Sequence, residues 1–311
     1  VAYSCRILAD NNNGVRITTF EITYPRFILS EFNTHRMLSK NTASSRAIPT
    51  KKLIESVKID PVIPEFMRNK KGMQATRALS PSAKKYATLT WLLARNATVI
   101  ACKKLERMKV HKQWTNRLIE PWLWTTQIVT ATEWENFFAL RADHDAQPEF
   151  QIIAGMMLEE YLKSPPSGSS SQGHLPFWNK DRDGFQLHKG LQSISHQINE
   201  VQNELLYGRE LTYSELFRFM VCAGRCARVS YLSHDGRLDL VQDFKLARRL
   251  MLSGHWSPFE HVAISNHHLQ TTSGNFTGWI QFRKFFENEN RQCNLREQLR
   301  LIRKTTLEET Y

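Results

Sequence analysis

Between Thr34 and Arg46 the chain gathers two guanidinium groups, an imidazole, an amide and several hydroxyls: Thr34-His35-Arg36-x-x-Ser39-x-Asn41-x-x-Ser44-x-Arg46. An arginine fork pairs two oxygens at once, so such a cluster suits phosphate and pyrophosphate groups. The same residues also suit a polar loop that caps a helix, with Ser44 or Asn41 as N-cap. A second cluster runs Asn136-Phe137-Phe138-Ala139-Leu140-Arg141-Ala142-Asp143, followed by Ala146-Gln147-Pro148-Glu149, with Arg117 four residues before Pro121 upstream. Alone, Arg141 and Asp143 would make no more than a surface pair of small worth. A third group joins Ala227-Arg228-Val229-Ser230-Tyr231 to Gly254-His255-Trp256-Ser257-Pro258-Phe259-Glu260-His261. A His and a hydroxyl at a turn punctuated by Gly and Pro can meet the polar edge of a ligand. They also fit a plain helix start, with Ser257 as cap, Pro258 in the first turn and Glu260 near the positive end.

These groups need elements to hold them. Residues 15–32 are rich in β-branched and aromatic side chains and predict one or two strands leading into the first cluster. Residues 60–82, with Pro61, Pro64, Gly72 and Pro81, predict a long loop. A helix is predicted from Ser82 to about Met108, where Tyr86, Leu89, Leu93, Ala97 and Ile100 recur at three and four. Another covers 145–162, with Phe150, Ala154, Met157, Leu158 and Tyr161 on one face. The run SPPSGSSSQG at 164–173 predicts a flexible connection or exposed loop. After it, Gly173-His174-Leu175-Pro176-Phe177-Trp178 reads as a loop plugged into the core, or as the lining of a pocket. Helices follow near 188–206, 213–226 and 237–253. The last has Leu240, Phe244, Ala247 and Met251 inward and Gly254 as C-cap. Residues 261–283 again predict strands. The division expected is 1–162 carrying the first two clusters, 163–214 as linker and insertion, and 215–311 carrying the third, in one composite body.

The chain has 311 residues, 41% of them apolar and 23% charged, enough for a sizeable core. It shows no run of apolar residues long enough to span a bilayer, and Val1 opens no signal-peptide pattern, so a cytoplasmic location is expected. The five cysteines, Cys5, Cys102, Cys222, Cys226 and Cys293, are scattered and complete no metal site at usual spacing. Cys222 and Cys226 share a helix face and read as buried thiols, and no metal is expected. With 42 Lys and Arg against 30 Asp and Glu, the net charge of +12 favours anionic partners. Because the arginines sit inside polar and aromatic motifs, discrete phosphorylated ligands explain the excess at least as well as a nucleic acid does. No stable nucleic-acid partner is expected.

The three clusters resemble the signatures of the flavin-dependent thymidylate synthases. His35, Arg36, Asn41, Ser44 and Arg46 match that family's Arg-His-Arg motif at its spacing, and the strand before it is similar too. Thr34, Thr42 and Glu31 depart, standing where the family has Arg, Glu and Gln. The second cluster resembles the family's Asn-Phe-x-x-Leu-Arg-x-Asp segment, and the third its Ala-Arg-x-Ser and Ser-Pro-Phe-Glu-His signatures. In the family the third group comes first, whereas here it comes last. It is followed by Asn275-Phe276-x-Gly278-Trp279-Ile280-Gln281-Phe282-Arg283-Lys284 with Asn288 and Glu289, which resembles a degraded second copy of the first motif. This permuted order is similar to that of bacteriophage-type members, whose setting would be the host cytoplasm.

The resemblance implies an α+β fold, a mixed or antiparallel sheet packed with long helices. It implies reductive methylation of dUMP at C5, with FAD as cofactor and methylenetetrahydrofolate and NADPH as co-substrates, in a homo-oligomer, with a tetramer favoured. Catalytic roles fall to Arg46, Arg117 and Arg141. The nucleotide would be held by these with Ser44 and Glu289, the flavin by His35, Arg36, Asn41, Asn136, Ser230, His255, Ser257 and Arg283. The matched motifs contain no Cys, which argues against a thiolate route. Two alternatives stay open: another product or base, such as hydroxymethylation or dCMP, and a non-catalytic basic protein that binds nucleic acid on the same scaffold.

Overall fold

The structure is a computed structural model that describes residues 3–72, 75, 77–168, 173–205, 211–231, 239–266, 268–290 and 295–308. Cys293 and residues 169–172 of the Ser-rich run lie outside the described residues. The fold is α+β. Its main sheet has five strands in the order β3-β4-β2-β1-β5: β1 (Ser4–Asn12), β2 (Arg16–Pro25), β3 (Ser39–Thr42), β4 (Trp124–Ala131) and β5 (Ser167–Gly168). Only β1 and β5 run parallel, so the sheet is mixed.

β2 has neighbours on both sides and buries Ile17, Phe20, Ile22 and Tyr24 completely. It stops at Pro25, which has no N–H to continue a ladder, and the chain turns through Arg26–Ile28 into the short helix α1 (Leu29–Phe32). The strand expected through 32 is thus cut short.

On one face of the sheet lie α5 (Glu135–Arg141) and α6 (Pro148–Lys163). Phe137, Phe150, Ile153, Ala154 and Met157 pack there on Phe20, Ile22, Val129 and Ala131. The connection from β3 to β4 grows into a helical lobe: α2 (Thr50–Ile59), α3 (Pro81–Arg107) and α4 (Lys112–Leu118), around Leu53, Val57, Val99, Cys102 and Ile119. The helix expected from Ser82 is present as α3, but its apolar stripe faces solvent. Tyr86, Leu89, Leu93 and Ile100 are 53–74% exposed, and only Val99 and Cys102 are buried on that helix.

The second half of the chain adds α7 (Lys180–Ser193), α8 (Ser195–Asn203), α9 (Tyr213–Arg228), α10 (Leu240–Leu252) and α11 (Leu295–Glu308). The single helix expected near 188–206 is two, broken at Ile194, and the first starts at an Asn179 cap. α9 begins in a capping box made by Thr212 and Glu215 and is buried along nearly its whole length. Gly224 lets α10 approach, since a Cβ there would meet the Asp243 carbonyl oxygen at 2.1 Å. α10 buries Leu240, Phe244, Ala247 and Met251 as its pattern requires, and Gly254 follows it at φ +73°. Cys226 and Val229 at the end of α9 pack on Ile128, so this half covers the other face of the sheet. Among the described residues no helix is long and apolar enough to cross a membrane.

Candidate active site

β3 pairs with β4 and α5 follows β4 in the chain, so the first and second clusters meet at one end of the sheet. Arg141 donates from Nε to His35 Nε2 at 2.8 Å and pairs through Nη1 with Glu31. Its guanidinium lies over the Phe150 ring, 4.7 Å from the centroid. His35 sits edge-on to Phe137 at 5.1 Å. Burial, then the charges of Arg141 and Lys40, push the His35 imidazole down to about 4. At neutral pH it is therefore uncharged, and Nε2 accepts a hydrogen bond from the Arg141 Nε–H. Lys40 donates to the His35 carbonyl oxygen, and burial lowers its ammonium to about 8. Lys40 was absent from the expected site. Its only signal was its place inside the first cluster.

Asn41 is not free to meet a ligand. It donates to the Cys226 carbonyl oxygen at 2.6 Å and accepts from Ser230 Oγ at 3.1 Å, while Ser44 N donates to the Ser230 carbonyl oxygen at 3.0 Å. The expected ligand contacts of Asn41 and Ser230 are thus taken up in joining β3 to the end of α9. Ser45 and Asn116 tie the next turn down: Asn116 Nδ2 donates to the carbonyl oxygens of Ser45 and Ile48 at 2.7 and 3.0 Å. Their chain neighbours Arg46 and Arg117 are therefore brought to one side of the lobe, both exposed. Arg117 pairs with Glu120 at 3.1 Å, which also accepts from Ser45 and faces Arg26 at 3.1 Å. Arg36, Arg46 and Asn136 are exposed and have no side-chain partner among the described residues. Beside Ser45 lies a cavity of about 340 Å³ lined mainly by apolar groups, including Leu53, Leu123 and Trp124, with Arg26 and Asp60.

The permuted C-terminal segment folds directly onto the first cluster. Asn275 Nδ2 donates to the Met37 carbonyl oxygen at 2.9 Å, and its Oδ1 accepts from Ser39 at 3.0 Å and Gln281 at 2.9 Å. The 3-10 turn Ser257–His261 packs against β3, with no side-chain cap from Ser257. Ser257 and His255 are both exposed, and His255 Nδ1 is 2.9 Å from Ser253 Oγ. Arg283 and Glu289, expected at the flavin and the nucleotide, are paired with each other at 3.1 Å. Arg283 also bonds Glu260 at 2.5 Å and Lys284 bonds Glu289 at 2.7 Å, so this guanidinium is already neutralised by two carboxylates.

Beneath the sheet a buried polar chain ties four parts of the sequence together. His174 bonds Asn11 Oδ1 at 2.7 Å and Thr19 Oγ1 at 2.6 Å; Thr19 meets Thr130 at 2.7 Å, and Thr130 meets His261 Nδ1 at 2.8 Å. The loop at Gly173–Trp178 is therefore plugged into the core through a fully buried His174. Sequence patterns do not reveal this chain, because its bonded partners lie more than a hundred residues apart.

Residues 16–167, just under half of the chain, match the family described as Thymidylate synthase complementing protein. No curated protein matches the chain. Among solved structures, the chain is similar to the UMP/dUMP methylase PolB from Streptomyces cacaoi bound with 5-Br UMP. Identity is 12% and the TM-score 0.42, over 52% of this chain and 89% of that one. It is also similar to Thymidylate Synthase X from Helicobacter pylori with FAD and dUMP, at 18% identity and a TM-score of 0.31, over 47% of this chain and 67% of that one. Both likenesses are distant.

Proposed function

We propose that this chain, which over residues 16–167 belongs to the thymidylate synthase complementing protein family, methylates a pyrimidine nucleotide at C5. The substrate in this reading is dUMP, the cofactor FAD, and methylenetetrahydrofolate and NADPH are consumed. The observation that carries it is the contact between His35 and Arg141, which joins the two family clusters across 106 positions of sequence. Arg46, which has no side-chain partner among the described residues, supplies a cationic fork for a nucleotide phosphate, and Arg141 and Arg117 join it by exchanging their carboxylate partners Glu31 and Glu120 for the ligand. His35, held neutral, fixes Arg141 by accepting from its Nε–H, while Glu31 holds the Nη1 side of the guanidinium.

The exposed groups fit FAD. Arg36 offers a guanidinium with no partner among the described residues, and Asn136 an exposed amide, which suit a diphosphate and a polar ring edge. His255 and Ser257 belong to the same proposal, and so does Arg283, which would meet the flavin only by giving up its pairs with Glu260 and Glu289. Bound flavin would supply hydride chemistry; the side chains bind, orient and exclude water. The halves 1–162 and 215–311 act as one composite body, supported by the bonds from Asn41 to Cys226 and from Ser39 to Asn275. Assembly into a homo-oligomer belongs to the same reading.

One observation favours dCMP as a second reading. Glu31 places a carboxylate on Arg141, and an ionised carboxylate is an acceptor that suits the amino group of cytosine.

FAD titration followed by flavin fluorescence tests the cofactor. Wild-type protein is expected to bind FAD at micromolar concentrations, and the double variant His35→Ala, Arg36→Ala to bind at least tenfold more weakly, about 1.4 kcal/mol. Wild-type protein that leaves the flavin signal unchanged would remove the cofactor from the proposal.

A further inference from the structure

We infer that the helical lobe made by α2, α3 and α4 is a nucleic-acid-binding surface that grips its partner by the phosphate backbone. This does not depend on the enzymatic reading, and it reverses the expectation of no nucleic-acid partner. The charge of the chain is segregated. Residues 46–117 carry 17 Lys and Arg against 4 Asp and Glu, a net +13, whereas the remaining residues carry 25 against 26. The whole excess therefore sits on one lobe. The excess lies in one contiguous stretch of sequence, and the fold turns that stretch into one lobe.

Lys84 pairs with Glu65, and Arg117 with Glu120. Lys51, Lys58, Lys103 and Arg107 are exposed, have no ion-pair partner among the described residues, and line a cleft of about 360 Å³ between α2 and α3. Among the described residues Glu55 and Glu106 are the acids that line it, leaving a net positive groove. A second cleft of about 350 Å³ is lined by Arg68, Asn69, Lys70 and Arg77. α3 is 27 residues long, roughly 40 Å, enough to follow more than one turn of a duplex or a comparable length of single strand. Concave clefts with several cations receive a ridge of phosphates, whereas a bilayer presents a flat face to them. That geometry favours nucleic acid over an anionic membrane.

Groups that neutralise phosphates release condensed counterions, so affinity falls steeply with salt. If the four cleft cations each meet one phosphate, the slope of log K against log salt is about −3.6 on a duplex. That corresponds to a loss of roughly a hundredfold between about 50 and 200 mM salt.

The test is fluorescence anisotropy of the full chain with labelled oligonucleotides of about 20 residues, one single-stranded and one duplex, of arbitrary sequence. Wild-type protein is expected to bind at least one of them, and their ratio separates the two sources of phosphate. The variant Lys51→Gln, Lys58→Gln, Lys103→Gln, Arg107→Gln should bind at least tenfold more weakly, with a flatter salt slope. A charge-matched control, Lys180→Gln, Lys189→Gln, Lys245→Gln, Arg249→Gln, removes as much charge from exposed positions elsewhere and should keep the affinity. The pair Lys103→Gln, Arg107→Gln gives a milder variant should the fourfold one fail to fold. Equal losses in the lobe and control variants would overturn the inference, as would mononucleotides competing as well as the oligonucleotide. Binding to vesicles rich in phosphatidylserine without binding either oligonucleotide would also overturn it.

Discussion

Replacing Arg225 by Met is expected to cost about 3–5 kcal/mol of folding stability, the range found when one partner of a buried ion cluster is removed. Arg225 is fully buried on α9. It donates to Asp183 at 2.6 and 3.0 Å, to Asp243 at 3.0 Å and to the Phe177 carbonyl oxygen at 2.8 Å. Burial alone would raise the Asp183 carboxyl, but hydrogen bonds from Arg225 and Arg182 hold it well below the usual range. Loss of the guanidinium leaves two buried carboxylates with Arg182 and Arg228 alone. The loss reaches the candidate site because Arg225 anchors the insertion helix α7 and α10 to α9, whose end holds Asn41. Arg182→Met, at a position with a 44% exposed side chain, should cost less than Arg225→Met, because Arg225 still pairs with Asp183. Urea unfolding of both variants checks this. An Arg225→Met loss no larger than that of Arg182→Met would show that the cluster does not hold these helices together.

Acid is the second large effect expected. His174 and His261 are fully buried, and burial pushes each imidazole down to about 3 from an ordinary 6.5. Asp10 opposes this at His174, while His174 itself adds to it at His261. Both are neutral in the native chain, so the unfolded state binds more protons as pH falls. Their contribution is complete above pH 6.5 and is lost as pH falls from there toward 3. A tenfold difference in proton affinity between the folded and unfolded chain corresponds to about 1.4 kcal/mol, so several kcal/mol are at stake for the pair. Urea midpoints are expected to fall steeply between pH 6.5 and 4 in the wild type. They should fall less steeply in the double variant His174→Gln, His261→Gln. Identical pH slopes would mean that these imidazoles do not titrate on unfolding.

How much of this could be read beforehand depended on range. The helix of Leu240, Phe244, Ala247 and Met251 was legible because one turn's spacing fixes a face and Gly254 marks its end. The period of Tyr86, Leu89, Leu93 and Ile100 identified a helix, but a period does not say whether its face meets the chain's own core. The approach of His35 to Arg141 was not read from the motifs, which assign the two side chains to different ligands and lie 106 positions apart. That Asn41, Ser230 and Arg283 bond protein rather than stand open was not legible, since their partners Cys226, Asn41 and Glu260 come from distant or separately folded segments. The charge of the lobe was countable in the sequence. Its meaning needed the clefts that α2 and α3 form.

The most direct measurement of the proposed function is the product formed from dUMP with FAD, NADPH and methylenetetrahydrofolate, read by mass spectrometry for wild-type protein and for Arg141→Ala. A nucleotide heavier than dUMP by one methyl group in place of a ring hydrogen is expected from the wild type. Arg141→Ala, lacking one charge-assisted contact of about 1.5–3 kcal/mol, should form it at a rate lower by roughly ten- to a hundredfold. Unchanged dUMP and unchanged dCMP with wild-type protein that demonstrably holds FAD would contradict nucleotide methylation by this chain.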